Sequence, residues 1–189
     1  MPATPALPRI AEAVAALRGG GLIAYPTEGV WGLGCDPFDE AAVLRLLALK
    51  RRPVDKGLIL VGASTAQFDG LVEWERLDPA TRDEVVASWP GPHTWILPVT
   101  ARVPPWITGA HQGVAVRVSA HPVVAALCSG YGGPLVSTSA NIGGAPAPRA
   151  YEDLAADVRA GVDLIVAGET SGLAHATPIR DARTGRVIR

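Results

Sequence analysis

The chain has 189 residues, with 17 Lys and Arg side chains against 18 Asp and Glu side chains, and 48% of its residues are apolar. That length fits one domain, and that composition excludes wholesale disorder, which requires low hydrophobicity and high net charge. A formal net charge of −1 excludes a general polycation that coats nucleic acid.

Other counts concern the cellular setting. Two cysteines are too few for a disulfide scaffold, and no apolar run approaches the roughly 20 residues of a membrane span. The first eight residues hold three prolines and no basic segment with an apolar core behind it, so they carry no predicted secretion signal. We therefore expect a soluble protein of the cytoplasm with no membrane partner.

Apolar periodicity and capping residues predict a mixture of helices and short strands. In chain order the predicted elements are a helix over 10–17, a strand over 22–25, a glycine-rich loop over 26–37, a helix over 39–50, a strand over 58–61, a helix over 78–89, strands over 95–97 and 114–118, a helix over 121–127, a strand over 135–137, a helix over 150–160, a strand over 164–166 and a hairpin around Thr184. Asp39 and Asp78 are the predicted N-caps of their helices.

Because these elements do not follow strict βαβ alternation, they predict an α/β domain with one twisted, mixed sheet flanked by helices. No internal repeat or low-complexity linker suggests a boundary. We expect a single domain over residues 1–189.

Several familiar chemistries have no motif in this chain. The sequence holds no Walker phosphate loop, no complete dinucleotide fingerprint, and none of the G-x-S-x-G, H-E-x-x-H or C-x-x-C patterns. Its four histidines show no metal-ligand spacing, and each is interpreted as a surface or turn residue. Cys35 is interpreted as a small buried hydrophobe rather than a nucleophile.

The basic residues are unevenly distributed. The chain has only two lysines against 15 arginines, and both lysines fall in the segment Lys50-Arg51-Arg52-Pro53-Val54-Asp55-Lys56. The end of a helix favours cations through its dipole, which accounts for part of this cluster. Three consecutive cations plus Lys56 exceed that need, and a Lys beside an Arg fork suits a di- or triphosphate.

A second long segment lacks acidic residues altogether. No Asp or Glu occurs over 85–151, a run of 67 residues that contains Arg117 within an apolar predicted strand. A buried charge needs a partner, and this stretch offers none nearby in sequence. We interpret Arg117 as a candidate partner for the carboxylate of a ligand.

Two uncharged polar segments complete the candidate residues. Thr27 lies in the glycine-rich loop, where backbone N–H groups can approach a ligand, although an ordinary turn would look the same. The segment 135–144 runs from a strand into Ser137, Ser139 and Asn141 and then two glycines. Hydroxyl and amide groups of this kind can fix a phosphate, a ribose or an amino acid, but a Ser/Thr turn is the alternative.

These segments resemble the YrdC-like family in blocks that follow the family's order. The blocks are Tyr25-Pro26-Thr27-Glu28, Gly32-Leu33-Gly34, Lys50-Arg51-Arg52-Pro53, Trp89-Pro90-Gly91-Pro92-His93-Thr94, Val114-Ala115-Val116-Arg117 and Ser137-Thr138-Ser139-Ala140-Asn141. The resemblance covers about residues 8–189 and implies a single YrdC-like domain, a twisted α/β sheet around a large basic cavity.

The resemblance also implies an activity. Members of this family combine L-threonine, bicarbonate and ATP into threonylcarbamoyl-AMP and release pyrophosphate. Downstream threonylcarbamoyl-transfer enzymes then modify an adenine beside the anticodon of tRNA. Mg²⁺ would arrive with ATP and keep most of its waters, so no dedicated protein site is predicted. The alternative function is a non-catalytic protein that binds double-stranded RNA or tRNA, although the charge of −1 disfavours it.

Site residues follow from matching the family's motifs position by position. The resemblance assigns ATP binding to Lys50, Arg52, Lys56, Ser139, Asn141 and Arg189, with Lys50 and Arg52 also expected to be catalytic. It assigns threonine binding to Thr27, Arg117, Ser137 and Thr177. Lys56 and Val61 depart from the longer relatives, which carry Asn and His there.

Overall fold

The computed structural model describes residues 9–174 and 177–188, and one sheet of eight strands runs through this part of the chain. The strands are β1 (Ile23–Pro26), β2 (Trp31–Gly34), β3 (Ile59–Gly62), β4 (Thr94–Pro98), β5 (Gly113–Val118), β6 (Leu135–Ser139), β7 (Leu164–Ile165) and β8 (Ile179–Asp181). Their order across the sheet is β7-β1-β2-β6-β3-β5-β4-β8. The pairs β1·β7, β3·β5 and β4·β8 are parallel and the other neighbours are antiparallel, so the predicted mixed α/β sheet is confirmed.

Helices flank the sheet, and two of them begin at the N-caps that the sequence predicts. The helices are α1 (Ile10–Arg18), α2 (Glu40–Lys50), α3 (Pro79–Ala87), α4 (Pro105–Thr108), α5 (Pro122–Tyr131) and α6 (Ala156–Gly161). The Asp39 side chain accepts from the Ala42 amide and Asp78 from that of Thr81, which confirms both predicted caps. No helix in the described ranges is long and apolar enough to cross a membrane.

The predicted loop over 26–37 is wrong in one respect, since it contains β2. Glycines hide the strand because only Trp31 and Leu33 alternate as apolar residues there. At Gly34 a Cβ would lie 2.9 Å from the Tyr25 ring and 2.7 Å from the carbonyl oxygen of Val136. The glycine is therefore required by close packing within the sheet rather than by a turn.

The predicted helix over 150–160 is also wrong as a continuous element. The structure has a 3₁₀ turn at Tyr151–Asp153, followed by the separate helix α6. The Asp153 carboxylate accepts from the backbone N–H groups of Arg149 and Ala150 and so caps the start of this turn, whereas the extended backbone of Leu154 ends it. The tail forms the predicted hairpin, in which Arg180 bridges Val187.

The two faces of the sheet are covered unequally. One face packs into the larger apolar core, with α2 and α6 on it. On the other face α1 and α5 cover a smaller core that includes Ile23, Tyr25, Val61 and Leu135. Since side chains alternate between faces, Ile59 and Ser137 lie on that second face beyond the two helices. That part of the sheet is the floor of a cavity.

Candidate functional site

Strand register builds the cavity floor from four central strands. Ile59 of β3 lies opposite Ala115 of β5 and Ser137 of β6, and Gly32 of β2 lies opposite Ser139. All five line a cavity of about 660 Å³. Pockets for small ligands are typically about 300–1,000 Å³, so this one has room for a nucleotide beside a small molecule.

Four other segments form the walls. They are the β1–β2 turn, the segment after α2 with Arg52 and Lys56, the stretch from α4 to β5 with His111, and the segment around β8 with Thr177, Asp181 and Arg183. The tail thus reaches a site whose other residues lie mostly in the middle of the chain.

The structure brings seven of the ten predicted site residues to the cavity lining, namely Thr27, Arg52, Lys56, Arg117, Ser137, Ser139 and Thr177. Lys50 and Asn141 lie directly behind the wall, in contact with the Ser139 segment. Arg189 lies outside the described residues. Val61, where the family pattern departs, is fully buried in the core under α1 and α5.

Lys50, the last residue of α2, is hydrogen-bonded to the end of β6. It is only 4% exposed, and its ammonium donates to the backbone carbonyls of Ser139 and, at 2.7 Å, Asn141. The Gly143 amide in turn donates to the Lys50 carbonyl at 2.9 Å. Burial first, and the nearby Arg52 charge second, lower the pKa of Lys50 to about 8. An ammonium has three N–H donors, so one remains beyond these two contacts.

Ser139 and Asn141 are coupled to one another. The Ser139 hydroxyl donates to the Asn141 side-chain oxygen, and the Asn141 amide nitrogen donates to the Ala145 carbonyl at 2.7 Å. Asn141 therefore shapes the loop after β6, while Ser139 presents its side chain at the cavity.

Thr27 and Arg52 are each anchored to the backbone of their own segment. The Thr27 hydroxyl donates to the Val30 carbonyl at 2.7 Å, so its oxygen is left as an acceptor. Arg52 donates to the Gly57 carbonyl at 3.0 Å, which holds its side chain along the rim. Thr27 can accordingly receive a proton donor such as an ammonium or a hydroxyl.

Arg117 has a partner within the protein, one that lies outside the acid-free stretch of sequence around it. The Glu28 carboxylate lies 3.6 Å from its guanidinium, and both side chains are 8% exposed. Glu28 comes from the β1–β2 turn, far from Arg117 in sequence, so the residues that neighbour Arg117 in the chain do not reveal it. The sequence shows that Glu28 is an acid between apolar segments, which indicates a buried carboxylate but not its contact with Arg117. Arg117 also donates to the Thr177 hydroxyl at 3.4 Å.

The charged side chains that line the cavity are mostly basic. Among its described lining residues, Arg52, Lys56, Arg117 and Arg183 are basic, and Asp181 is the carboxylate. Asp181 accepts from the Arg183 backbone at 2.9 Å and faces its guanidinium at 3.4 Å. Arg117 lies beside Glu28 and Arg183 beside Asp181, while Arg52 and Lys56 bring two further positive charges to the lining.

The two cysteines are unreactive as nucleophiles. Burial raises the pKa of the Cys128 thiol to about 12 and raises that of Cys35 as well, so neither is a thiolate nucleophile. Both are free and buried, as predicted for Cys35.

The histidines differ from their predicted surface role in one case. His121 is buried at the N-cap of α5, where its ring accepts from the Val123 amide. His111 is exposed at the cavity, and His175 lies outside the described residues. Over 9–174 and 177–188, no group of three His, Cys, Asp or Glu side chains is placed to hold a metal ion.

Sequence comparisons identify similar proteins over almost the whole chain. A family model described as "Telomere recombination", which unites Sua5, YciO and YrdC, matches residues 15–189. The chain is 61% identical over 178 residues to the threonylcarbamoyl-AMP synthase of Xanthomonas euvesicatoria pv. vesicatoria, covering 94% of this chain and 95% of that one. It is 57% identical over 185 residues to the enzyme of the same name from Xanthomonas campestris pv. campestris, covering 98% and 99%.

Solved structures show the same fold. P. abyssi Sua5 complexed with L-threonine superposes with a TM-score of 0.84 at 35% identity, covering 91% of this chain and 50% of that one. E. coli YciO superposes with a TM-score of 0.82 at 26% identity, covering 95% and 87%. The chain thus spans half of the P. abyssi protein but nearly all of the Xanthomonas relatives.

Proposed function

The chain belongs to the Sua5, YciO and YrdC family, and on that basis we propose that it is an L-threonylcarbamoyladenylate synthase. It joins L-threonine, bicarbonate and ATP into threonylcarbamoyl-AMP and releases pyrophosphate. The observation that carries this proposal is a cavity lined by the cations Arg52 and Lys56 at one end and by Arg117 with hydroxyl groups at the other. A nucleotide and a small zwitterion need those two surroundings side by side.

The Arg117 end suits threonine. Its guanidinium offers a planar pair of donors for a carboxylate, and the Thr27 oxygen can accept from the substrate's amine or hydroxyl. Ser137 and Thr177 line the same region, and Thr177 already contacts Arg117. P. abyssi Sua5, which is 35% identical, was solved in complex with L-threonine, and this supports threonine as a substrate.

The other end suits the triphosphate of ATP. Arg52 and Lys56 bring positive charge to the lining, Ser139 brings a hydroxyl, and Lys50 with Asn141 fixes the segment that carries it. Lys50 and Arg52 have catalytic roles in this proposal, because they compensate charge that develops on the reacting phosphate. The predicted nucleotide contact of Arg189 remains part of the proposal and concerns a residue outside the described ranges.

The reaction needs positioning more than acid–base chemistry. The threonine amine condenses with bicarbonate, or captures CO₂ with loss of a proton, to form a carbamate. A carbamate oxygen then forms a bond to the α-phosphorus while the bond to the bridging β-phosphate oxygen breaks, and pyrophosphate leaves. Holding both substrates in one cavity lowers the entropic barrier, and fixed cations stabilise the transferring phosphoryl group.

Mg²⁺ enters this proposal as part of the nucleotide. The described residues offer no three-ligand metal cluster, and the Asp181 carboxylate that lines the cavity is engaged by Arg183. Mg²⁺ bound to phosphates usually keeps several waters and needs few protein ligands. It would supply charge neutralisation at the phosphates, in addition to that from Arg52 and Lys56.

The product defines the partners. Threonylcarbamoyl-AMP is a mixed anhydride that water can hydrolyse, so transfer enzymes acting on tRNA must take it up promptly. We place the reaction in the cytoplasm, where ATP, threonine and tRNA meet. Direct contact of this chain with tRNA or double-stranded RNA is the competing function, and it would bring affinity that falls steeply with salt.

Pyrophosphate release tests the proposal directly. Purified protein with ATP and Mg²⁺ should release pyrophosphate only when both L-threonine and bicarbonate are present. Release that ignores threonine would overturn the proposed reaction. Tight, salt-sensitive tRNA binding together with no heat of binding for ATP plus threonine would favour the RNA-binding function instead.

A further inference from the structure

A buried carboxylate next to the cavity has no assigned role in the reaction. Glu28 is 6% exposed, and its Oε1 accepts from the Ser119 hydroxyl at 2.7 Å and from the Ala120 amide at 3.1 Å. Its Oε2 is buried and finds no hydrogen-bond donor among the described residues. The nearest cation to that oxygen is the Arg117 guanidinium, at 3.6 Å.

This pair is poorly explained as a device for stability. Removing two charges from water costs several kcal/mol for each ion, and only good geometry with further hydrogen bonds offsets that cost. Here the ion pair exceeds hydrogen-bond length, and the buried Arg117 Nε also has no acceptor among the described residues. Two hydrophobic residues of similar volume would serve packing better.

The surroundings of Glu28 instead hold its carboxylate in one place. Its turn between β1 and β2 is attached to the segment after β7, since the Ser171 amide donates to the Thr27 carbonyl at 3.3 Å and the Leu173 amide to the Glu28 carbonyl at 3.0 Å. On the other side Ser119 and Ala120 directly follow β5, the strand that carries Arg117. The carboxylate is therefore fixed relative to the guanidinium through both elements.

We propose that Glu28 is a positioning residue that orients the Arg117 guanidinium for the carboxylate of the amino-acid substrate, an inference that rests on the proposed function. Glu28 faces Arg117 from outside the cavity lining, whereas Arg117 itself lines the cavity. The donors of the guanidinium that do not face Glu28 are thereby directed at the substrate.

The pair also sets the charge that the substrate meets. An unpaired buried Arg attracts any anion, including a phosphate of ATP, whereas Arg117 beside Glu28 forms a locally neutral pair. A zwitterionic amino acid adds no net charge to this end of the cavity, while the phosphates of ATP are directed to Arg52 and Lys56. Glu28 thus helps to keep the two substrates in their own halves.

The test compares two carboxylate-to-amide variants. Glu28→Gln keeps the size of the side chain and the acceptor for Ser119 but removes the charge facing Arg117. Asp163→Asn is the matched control, because Asp163 also accepts from a backbone amide, that of Leu22, and pairs with an arginine, Arg45, away from the cavity lining. Threonine binding is measured by calorimetry, and KM for threonine and for ATP by pyrophosphate release.

We expect Glu28→Gln to raise the dissociation constant and KM for threonine about tenfold or more, which is the usual effect of losing a charge-assisted contact. The KM for ATP and the kcat at saturating threonine should stay within about twofold, a split that general unfolding would not produce. Asp163→Asn should leave all of these constants unchanged.

Each other outcome has a defined meaning. Threonine constants that are unchanged in Glu28→Gln, or ATP constants that rise equally, overturn the inference while the proposed function stands. A wild-type protein that neither binds threonine nor shows threonine-dependent release overturns the proposed function. If Glu28→Gln does not fold, Ser119→Ala decides, since it removes the hydroxyl donor to Oε1, leaves the Ala120 amide as its donor and keeps the charge, and an unaltered threonine KM in that variant overturns the inference.

Discussion

One face of the sheet is divided into two halves of opposite chemistry. In the half under α1 and α5, β6 contributes Leu135, which is fully buried in the smaller core. Two residues further along the same strand, β6 contributes Ser137 to the cavity. The border also crosses the β3–β5 pair, where buried Val61 lies opposite Arg117. The candidate site therefore begins where α1 and α5 stop covering the sheet. Its strands are hydrogen-bonded in the same sheet as the covered half, which keeps them rigid.

Removing the positive charge of Arg117, which lies at this border, should have the largest effect on the kinetics. We expect Arg117→Ala to lower kcat/KM for threonine by about 10²–10³-fold, because the variant loses the carboxylate contact and leaves Glu28 buried without its partner. The KM for ATP should change far less. Steady-state pyrophosphate release at varied threonine and varied ATP measures both.

The matched control is Arg45→Ala, which removes an arginine from the exposed pair with Asp163. It should leave both constants near those of the wild type, since exposed pairs contribute only about 0–1 kcal/mol. Equal losses for threonine and ATP in Arg117→Ala would mean that the two ends of the cavity are not distinct.

A pair of substitutions on β6 sharpens the contrast between the halves. Leu135→Ala should lower the free energy of unfolding by about 3 kcal/mol, because it removes a fully buried side chain from under the helices. Ser137→Ala should cost less than about 1 kcal/mol of stability but raise the threonine KM a few-fold. Urea unfolding and kinetics on both variants measure this, and a reversal of the two patterns would contradict the division of the face.

The covered half was largely predictable from sequence, and the open half only in part. Apolar runs and capping residues gave most of the strands and helices, because burial under a helix leaves a periodic apolar pattern. The motifs also pointed to Arg117 and Ser137. What escaped was pairing across the chain: Glu28 meets Arg117 only because the sheet brings β1, β2 and β5 to one side, and nothing local in the sequence encodes that contact. Strand β2 escaped because packing against Tyr25 requires glycine where a strand usually shows side chains.

At the end of the cavity proposed for the phosphates, Lys50→Ala tests whether a residue behind the lining matters as much as the lining itself. We expect about a tenfold rise in the KM for ATP and little change in that for threonine, because the Ser139 segment loses two charge-assisted hydrogen bonds and the site loses a cation. The control is Arg51→Asn, since Arg51 is exposed and has a φ of 50°, which Asn tolerates. Equal effects of the two variants would show that ATP binding depends on positive charge in general rather than on the hydrogen bonds of Lys50 to the Ser139 segment.

The smallest expected effect is a change in the KM for ATP as rising pH removes the charge of Lys50. Burial, helped by the Arg52 charge, lowers the pKa of Lys50 from 10.5 to about 8, so the side chain is mostly charged at pH 7 and about nine-tenths neutral at pH 9. We expect the KM for ATP to rise a few-fold across that interval, with the threonine KM nearly constant. Kinetics in buffers of matched ionic strength measure the change, and a flat ATP profile would contradict it.

While ATP binding weakens, the contribution of Lys50 to the free energy of unfolding should rise between about pH 8 and 10.5. Because the pKa is lower in the folded protein than in the unfolded chain, the unfolded chain binds more protons between about pH 8 and 10.5, and the Lys50 contribution to the free energy of unfolding rises with pH there. The difference in unfolding free energy between wild type and Lys50→Met isolates that contribution. If the protein lost structure at alkaline pH, ATP binding and the free energy of unfolding would fall together. If ATP binding weakens while the contribution of Lys50 to the free energy of unfolding rises, loss of the Lys50 ammonium is the cause.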